Sequence, residues 1–304
     1  MSKKIQHFLE YLVFRFFEKA IQLLPYPVLE ALASGVAFLA FRVIRYRREV
    51  ALDNLAHALP EKSPREHLAI AYRSYRHFAL LILEFMKLSS WNPERLDRMV
   101  NLERTKEVER LLEQVKDGSA IMVSGHFGNW EVAIAYLASR FFEGASVIQQ
   151  RQKNSLVDRH VADMRRRWGI EIIYSRGAVN NALGFLKENQ FVGLLCDQDA
   201  GTRGVFVPFF GRMASTPVGA GVLHLRSRAP LFFGISIRTG KFRYKGVVEP
   251  IEYRGDYEVN TENIQKITAA FTAKLERYVR QYPEQYLWMH RRWKTNPVTE
   301  EDGR

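Results

Sequence analysis

The sequence predicts an α/β protein: a mixed, mostly parallel sheet flanked by helices, with a helical region before it. Beyond Gly118, short apolar runs alternate with segments of helical periodicity, which is the pattern of a sheet covered by helices on both faces. Before Gly118, apolar residues recur at helical spacing. The chain has 304 residues, enough for a well-buried core. We expect residues 118–304 to form this α/β core.

Residues 1–48 are predicted to be membrane-associating helices. Apolar side chains mix with charges from Phe8 to Leu24, and an uncharged run from Ala31 to Phe41 is followed by four arginines within residues 42–48. The run has 11 residues, whereas a bilayer core requires about 20, so amphipathic helices lying in the membrane interface are favoured. A tilted single span and ordinary helices packed on the body are the alternatives. Charges at positions 15, 18 and 19 argue against a cleavable signal peptide.

Residues 49–117 are predicted to be a helical region packed on the body. Helical spacing runs from Glu49 to Leu88 and is interrupted before Pro64. Ser63 and Pro64 have the residue types of a helix N-cap and a first helical position. A further helix is predicted around Glu103 to Lys116.

The α/β core is predicted from six apolar runs and five helical segments. The strands are Ala120–Ser124, Ala145–Gln149, Ile170–Tyr174, Phe191–Cys196, Leu231–Arg238 and Lys241–Glu249. The helices are Trp130–Ser139, Leu156–Trp168, Val179–Glu188, Val218–Arg226 and Asn260–Gln281. Ligands of such sheets bind at the carboxyl ends of the strands, so the residues that follow each strand are the first candidates for a site.

The charge balance predicts anionic partners. Lys and Arg number 45 against 33 Asp and Glu, a net charge of +12, which suits anionic lipid headgroups, an acidic protein or nucleic acid. No recognised nucleic-acid-binding motif accompanies the charge, so nucleic acid is not expected as the partner. The single cysteine, Cys196, lies in an apolar run and is expected to be a reduced core residue.

The strongest candidate for a catalytic group is His126, in the turn between a predicted strand and a predicted helix. Gly125 and Gly128 flank it, and Glu131 follows in the first helical turn. From there a carboxylate can reach back to one ring nitrogen and leave the other free as a general base. The amides around Gly125 and Gly128, near a helix N-terminus, are candidates to bind an oxyanion. A helix-capping turn with a structural histidine is the alternative.

The chain offers no obvious nucleophile, metal or cofactor site. The pattern G-x-S-x-G is absent, and Cys196 lies in a strand rather than in an activating turn. There is no H-E-x-x-H, paired cysteine, Walker A or G-x-G-x-x-G motif. We therefore expect His126 to deprotonate a substrate hydroxyl for direct attack, without a covalent enzyme intermediate, metal or cofactor.

Polar residues also follow two other predicted strands. Asp197 and Asp199 come after the strand that ends at Cys196, and an aromatic loop, residues 206–211, lies beyond them. These residues suit a polar site that opens onto an apolar channel. The alternative is that the aspartates form a turn and the phenylalanines belong to the core. Arg151 follows another strand and is a candidate to bind an anion. The alternative is that it is an ordinary surface arginine. The basic runs 165–167 and 291–294 are expected to be solvated or to face lipid headgroups.

Together these motifs resemble the late acyltransferases of lipid A biosynthesis, the lauroyl/myristoyl transferase family of the lysophospholipid acyltransferase superfamily. The matching residues are Arg48 with Asn54-Leu55, Pro60-Glu61, His126–Glu131, Arg151 with Asn154, Asp197–Gly201, Val205–Gly211 and Pro283–Tyr286. The resemblance spans nearly the whole chain. It departs at Gln149-Gln150, where many relatives carry an aromatic residue, and the tail 288–293 matches only part of the family.

The resemblance implies a glycerolipid acyltransferase-like fold and transfer of a fatty acyl group from acyl carrier protein to a hydroxyl on a Kdo-bearing lipid A precursor. It places the protein at the cytoplasmic face of the inner membrane, as a peripheral, monotopic or single-pass protein. It implies that His126 is the base and Glu131 its partner. It also implies that Arg151 and Asp199 line the site. Our predicted substrate-binding residues are these two with Gly125, Gly128, Asn154 and Asp197.

Two other functions remain open from the sequence. Acylation of a phosphatidylinositol mannoside-type glycolipid with a coenzyme A donor would use the same histidine and glutamate. A non-catalytic basic protein that binds membrane or nucleic acid would tolerate loss of His126.

Overall fold

The computed structural model describes residues 3–116, 118–142 and 144–297. The helices are α1 (Lys3–Leu23), α2 (Tyr26–Phe38), α3 (Arg48–Ala58), α4 (Pro64–Leu88), α5 (Pro93–Met99), α6 (Lys106–Val115), α7 (Trp130–Phe141), α8 (Ser155–Arg166), α9 (Ala178–Lys187), α10 (Gly219–Ser227) and α11 (Thr261–Gln281). The strands are β1 (Val100–Leu102), β2 (Ala120–Ser124), β3 (Ala145–Gln149), β4 (Ile170–Tyr174), β5 (Phe191–Leu195), β6 (Val205–Phe209), β7 (Arg212–Thr216), β8 (Leu231–Gly240) and β9 (Arg243–Pro250).

Seven strands form one mixed sheet in the order β1-β9-β8-β2-β5-β3-β4. All neighbours are parallel except β8 and β9, which form an antiparallel pair. The central strand β2 is buried along its whole length, as expected for a strand with helices on both faces. The predicted fold class is confirmed, and five of the six predicted strands begin at the predicted residue.

The structure adds two features that the sequence did not predict. Val100–Leu102, inside the region predicted to be helical, is a short strand that extends the sheet by pairing in parallel with β9. The predicted aromatic loop is a hairpin of β6 and β7. Phe209 and Phe210 of this hairpin belong to the main hydrophobic core, so they fill the interior rather than line an open channel.

The N-terminal helices pack unequally on the body. Leu29, Ala33 and Ala37 of α2 are buried, and the first two join Leu80 of α4 in a separate apolar cluster. By contrast, α1 buries only Glu18 and Ile21 along its length. Most of the apolar surface of α1 therefore faces away from the rest of the chain.

Helix α4 begins with the predicted cap. The Ser63 hydroxyl accepts from the Glu66 amide, the Glu66 carboxylate accepts from the Ser63 amide, and Pro64 occupies the first helical position. From this start α4 runs for 25 residues and reaches both α2 and the turn that follows β2.

Candidate active site

The register of two neighbouring strands brings the main site residues together. Strands β2 and β5 are parallel, Ser124 lies opposite Leu195, and the Cys196 amide donates to the Ser124 carbonyl over 2.9 Å. Residues that follow the two strands at the same distance are therefore neighbours. His126 and Asp197 each come two residues after the end of their strand.

Asp197 holds the catalytic candidate His126. Its Oδ1 lies 2.7 Å from His126 Nδ1, and its Oδ2 accepts from the His126 backbone amide over 2.8 Å. The carboxylate is 2% exposed and the imidazole 20% exposed. The prediction that Glu131 holds the ring is wrong in this structure, because Asp197 occupies the Nδ1 side. With Nδ1–H donated to a carboxylate, the free lone pair is on Nε2.

Burial and charge act in opposite directions on the pKa of His126. Burial disfavours the imidazolium, but the charge of Asp197, its hydrogen bond and the charge of Glu131 together raise the pKa above its usual value. For Asp197, burial alone would raise the pKa, and the contacts with His126 lower it instead. The pair thus stabilises a protonated ring next to an ionised carboxylate, which is the state of a general base that has just accepted a proton.

Two further side chains lie against the His126 ring. The Trp130 ring meets the imidazole edge-on with 5.0 Å between the ring centroids. The Gln198 side-chain nitrogen lies 3.5 Å from Nε2, at the outer limit of a hydrogen bond. The imidazole is 20% exposed, so the ring is not sealed from the surface.

Glu131 forms a buried ion pair beside the site. Its two oxygens accept from the Arg165 guanidinium, one over 3.1 Å from Nε and the other from Nη2, and the Trp130 indole N–H donates to it over 3.1 Å. The side chains of Arg165 and Glu131 are only 14% and 7% exposed. The expectation that the run 165–167 is solvated or faces lipid headgroups is therefore wrong for Arg165, which is buried in its ion pair with Glu131.

The backbone of the turn requires glycine at position 128 and removes one oxyanion candidate. Gly128 has φ +58, and a Cβ there would lie 1.7 Å from the Ser236 carbonyl oxygen, so only glycine fits. Its amide donates to the Gln285 carbonyl over 3.0 Å, which contradicts the expected oxyanion role of this amide. A Cβ on Gly125 would lie 2.8 Å from the Leu275 side chain.

Two other predicted ligand-binding residues use their polar atoms within the protein. The Asp199 carboxylate accepts from the Thr295 amide and hydroxyl over 3.2 and 3.0 Å, which fixes the C-terminal segment. Asn154 caps α8 and donates to the His7 carbonyl over 2.8 Å and to Glu10 over 2.9 Å, which ties α8 to α1.

Arg151 remains available for a ligand. It is exposed beyond β3, with its guanidinium 4.0 Å from the centroid of the Tyr174 ring. The structure therefore groups Gly125, His126, Gly128, Glu131 and Asp197 in one site, and Arg151 lies at the edge of the neighbouring strands.

The C-terminal basic run is only partly solvated, contrary to the sequence expectation. Arg292 is 2% exposed and donates from Nη1 to the Ser215 carbonyl over 2.6 Å. Its guanidinium also lies 5.4 Å from the centroid of the Phe209 ring. This arginine fastens the tail across the base of the β6–β7 hairpin.

Sequence reasoning missed two buried polar residues of α4 that contact the turn. His77 Nε2 lies 2.9 Å from the Gly128 carbonyl oxygen, and Glu84 accepts from the Asn129 side-chain amide over 2.8 Å. Their spacing of seven residues, two helical turns, is the only sign in the sequence that they share a face.

The chemistry of the described residues centres on the imidazole. Cys196 is buried, and burial raises its pKa to about 12, so a thiolate nucleophile is disfavoured. Within residues 3–116, 118–142 and 144–297, no group of three or more His, Cys, Asp and Glu side chains is arranged to hold a metal ion.

Comparison with known proteins gives consistent matches over the chain. A family model described as "Bacterial lipid A biosynthesis acyltransferase" matches residues 1–295. The chain is 25% identical over 280 residues to the lipid A biosynthesis palmitoleoyltransferase of Escherichia coli K12, covering 91% of this chain and 88% of that protein. It is 26% identical over 285 residues to the lauroyltransferase of the same organism, covering 90% and 88%. A shorter match, 30% over 116 residues, joins it to the phosphatidylinositol mannoside acyltransferase of Mycobacterium tuberculosis and covers 37% of this chain and 36% of that protein.

Proposed function

Because the chain belongs to the bacterial lipid A biosynthesis acyltransferase family, we propose that it transfers a fatty acyl group from acyl carrier protein to a hydroxyl of a Kdo-bearing lipid A precursor. The chain is an O-acyltransferase, as are its relatives with lipid A substrates. The observation that supports the mechanism is the 2.7 Å contact between His126 and Asp197 at the carboxyl ends of β2 and β5. The net charge of +12 suits a donor protein and an acceptor that are both acidic.

In the proposed reaction, His126 Nε2 removes the proton from the acceptor hydroxyl as its oxygen attacks the thioester carbonyl. The O–H bond breaks and a C–O bond forms, giving a tetrahedral intermediate. The intermediate then expels the thiolate, which takes the proton from the imidazolium, so the products are an ester and a free thiol. Asp197 stays ionised throughout and stabilises the imidazolium, as the aspartate does in serine hydrolases.

Glu131 acts in this proposal through its neighbours rather than as the direct partner of the base. It holds Arg165 and the indole of Trp130, whose ring packs against His126. Its charge also contributes to the raised pKa of His126. We propose that the Glu131–Arg165 pair keeps Trp130 in place against the His126 ring, while Arg151 contacts an anionic part of a substrate.

The N-terminal helices suit attachment to a membrane surface. Large apolar side chains of α1 are exposed, among them Phe16 at 70% and Phe17 at 54%, and the segment carries basic residues that suit anionic headgroups. One 18-residue window among the described residues, Tyr26–Val43, is long and apolar enough to cross a bilayer.

Helix α2 is nevertheless fastened to the body along one face. Leu29 and Ala33 are fully buried, and Arg76 of α4 donates to Glu30 over 3.1 Å and to Ser34 over 2.9 Å. A helix held in this way is not free to insert alone, so we propose an interfacial, monotopic association with the cytoplasmic face of the inner membrane.

The experiment that tests the proposal supplies detergent-solubilised protein with acyl carrier protein thioesters of several chain lengths and a Kdo-bearing lipid A precursor. Mass spectrometry of the acceptor identifies the product. We expect the acceptor to gain one acyl chain in the wild type and none above background in His126→Ala. Parallel reactions with coenzyme A thioesters, and with phosphatidylinositol mannoside as acceptor, test the alternative function as a glycolipid acyltransferase that uses coenzyme A. Strict preference for those substrates would reject the proposed donor and acceptor.

A further inference from the structure

Helix α4 presents two buried polar side chains to the turn that carries the base. This turn, residues 125–129, is called the catalytic turn below. We propose that His77 and Glu84 are positioning residues that fix the catalytic turn and so keep His126 at hydrogen-bonding distance from Asp197. The inference rests on the proposed function, in which His126 is the base.

His77 bonds to the catalytic turn as a neutral donor. Its side chain is buried, and Nε2 lies 2.9 Å from the Gly128 carbonyl oxygen. Burial and, to a lesser extent, the nearby Arg238 lower the pKa of His77 to about 3. The ring is therefore uncharged at neutral pH, and Nε2 must carry its hydrogen to satisfy the carbonyl.

Glu84 bonds to the next residue of the catalytic turn. It is fully buried, accepts from the Asn129 side-chain amide over 2.8 Å, and is paired through both oxygens with the Arg238 guanidinium. Asn129 in turn caps α7, because its side-chain oxygen accepts from the Val132 amide over 3.1 Å. Glu84 thus fixes the rotamer of Asn129, the residue that caps helix α7.

Other parts of the chain also contact the catalytic turn, and the Leu287 amide donates to the His126 carbonyl over 3.2 Å. The Gly128 and Asn129 amides of the turn donate to the Gln285 and Ser236 carbonyls over 3.0 Å each. These contacts join the turn to β8 and to the C-terminal segment, whereas His77 and Glu84 join it to α4. Asp197 lies on the loop after β5 and contacts the turn at His126, through the backbone amide and the ring, whereas His77 and Glu84 contact it at Gly128 and Asn129. A displacement of the turn would therefore change the distance from His126 to Asp197.

The same helix provides a matched control. His67 is ten residues before His77 on α4, is equally buried at 7% exposure, and also has Nε2 2.9 Å from a backbone carbonyl oxygen, that of Leu59. Replacing either histidine by leucine removes one hydrogen bond to a buried carbonyl, and the Leu59 carbonyl keeps its bond from the Lys62 amide over 3.0 Å. Only the replacement at position 77 affects the catalytic turn.

The test compares wild type, His77→Leu, His77→Gln and His67→Leu by two readouts. The first is kcat for acyl transfer, normalised to folded protein. The second is the pKa of His126 from a histidine NMR titration, with the resonance assigned by its absence in His126→Ala. We expect His77→Leu to lower kcat about 10- to 100-fold, as a misplaced catalytic group does, and to shift the pKa of His126 downward toward about 6.5.

The two comparison variants separate positioning from stability. His77→Gln, which keeps an amide donor, should have a kcat and a His126 pKa closer to those of wild type than to those of His77→Leu. His67→Leu should lower thermal stability, leave kcat within about twofold of wild type and leave the pKa of His126 unchanged. An unchanged pKa of His126 in His77→Leu, or an equal loss of kcat in His67→Leu, would overturn the inference. If His77→Leu does not fold, His77→Asn, whose side chain is too short to reach the carbonyl, takes its place.

Glu84 is tested through its partner, because Glu84→Gln would also remove the charge that pairs with Arg238. Asn129→Ser keeps a helix-capping oxygen but cannot reach Glu84. We expect it to shift kcat and the pKa of His126 in the same direction as His77→Leu, and unchanged values would exclude Glu84 from this role. The NMR titration requires no substrate, so it decides the inference even if the wild type transfers no acyl group, a result that would reject the proposed function alone.

Discussion

Asp197 binds His126 at two points, accepting from the ring Nδ1 over 2.7 Å and from the backbone amide over 2.8 Å. One carboxylate therefore fixes both the ring and the backbone of the same residue. The ring cannot rotate without breaking the first contact. This double contact explains why Asp197, on the loop after another strand, rather than the nearby Glu131, supports the base.

The pH dependence of the reaction should report this contact. The pKa of His126 is raised and a base must be neutral to act, so the acid limb of kcat/KM should have its midpoint above about 6.5 in the wild type. Asp197→Asn removes the charge while burial, which lowers the pKa, remains. We expect the midpoint to move to lower pH and the plateau rate to fall. A midpoint that stays in place would show that Asp197 does not set the pKa of the base.

Stability should depend on pH through the same pair. The raised pKa of His126 stabilises the fold below about 6.5, an effect lost as pH rises through the folded-state pKa. The lowered pKa of Asp197 stabilises it above about 3.9, an effect lost as pH falls through the folded-state pKa. The difference in unfolding free energy between wild type and Asp197→Asn should be largest between about pH 4 and 6.5. Denaturant unfolding across this range checks the prediction, and a difference that grows toward pH 9 would contradict it.

Glu131 and Arg165 should behave as one unit. Removing one partner of a buried ion pair costs roughly 3–5 kcal/mol, and the 14% exposure of Arg165 places this pair near the lower end. We expect Glu131→Ala and Arg165→Ala to destabilise similarly and the double variant to be less destabilised than their sum, as measured by urea unfolding. Because Asp197 remains, the acid limb in Glu131→Ala should move less than in Asp197→Asn. The reverse order would restore Glu131 as the direct partner of His126.

Membrane binding should depend on the exposed face of α1. Burying a phenylalanine contributes about 1.5–3 kcal/mol, so the double variant Phe16→Glu/Phe17→Glu should lose at least about tenfold in partitioning to anionic vesicles, measured by co-sedimentation. Val259→Glu, which changes an apolar residue that is 41% exposed outside the N-terminal helices, is the control. Equal loss in both variants would argue against α1 as the attachment surface.

The position of α1 should depend on one buried lysine. Lys87 donates to the carbonyls of Ile21, Gln22 and Leu24 over 3.0, 2.6 and 2.8 Å and so satisfies the C-terminal end of α1. We expect Lys87→Met to release α1 and to speed tryptic cleavage after Lys19, followed by mass spectrometry. Lys241→Met, at an exposed site, should be cleaved after Lys19 at the wild-type rate. Unchanged cleavage in Lys87→Met would mean that other contacts are sufficient.

The sequence predicted six of the seven strands of the main sheet, because most of them are short apolar runs. It could not predict which strands are neighbours. The chain visits β3 and β4 before β5, yet β5 pairs with β2, and this order is what places Asp197 beside His126. Local spacing pointed to Glu131, five residues away, because a partner 71 residues away leaves no local pattern.

Two further misses have physical reasons in single residues. The β6–β7 hairpin turns at Phe210 and Gly211, both with positive φ, a turn usually signalled by Asn-Gly. Phenylalanine at the first position hides that signal. Arg165 and Arg292 lie in runs that look solvated, and only the structure shows the carboxylate and carbonyls that accept from them.

The most direct measurement is the mass of a lipid A precursor after incubation with an acyl carrier protein thioester and either wild-type protein or His126→Ala. Loss of a general base lowers a rate about 10²–10⁴-fold, so we expect one added acyl chain with the wild type and at most a trace with His126→Ala, at equal folded protein and equal vesicle binding. Comparable product from both proteins would contradict the role of His126 as the base.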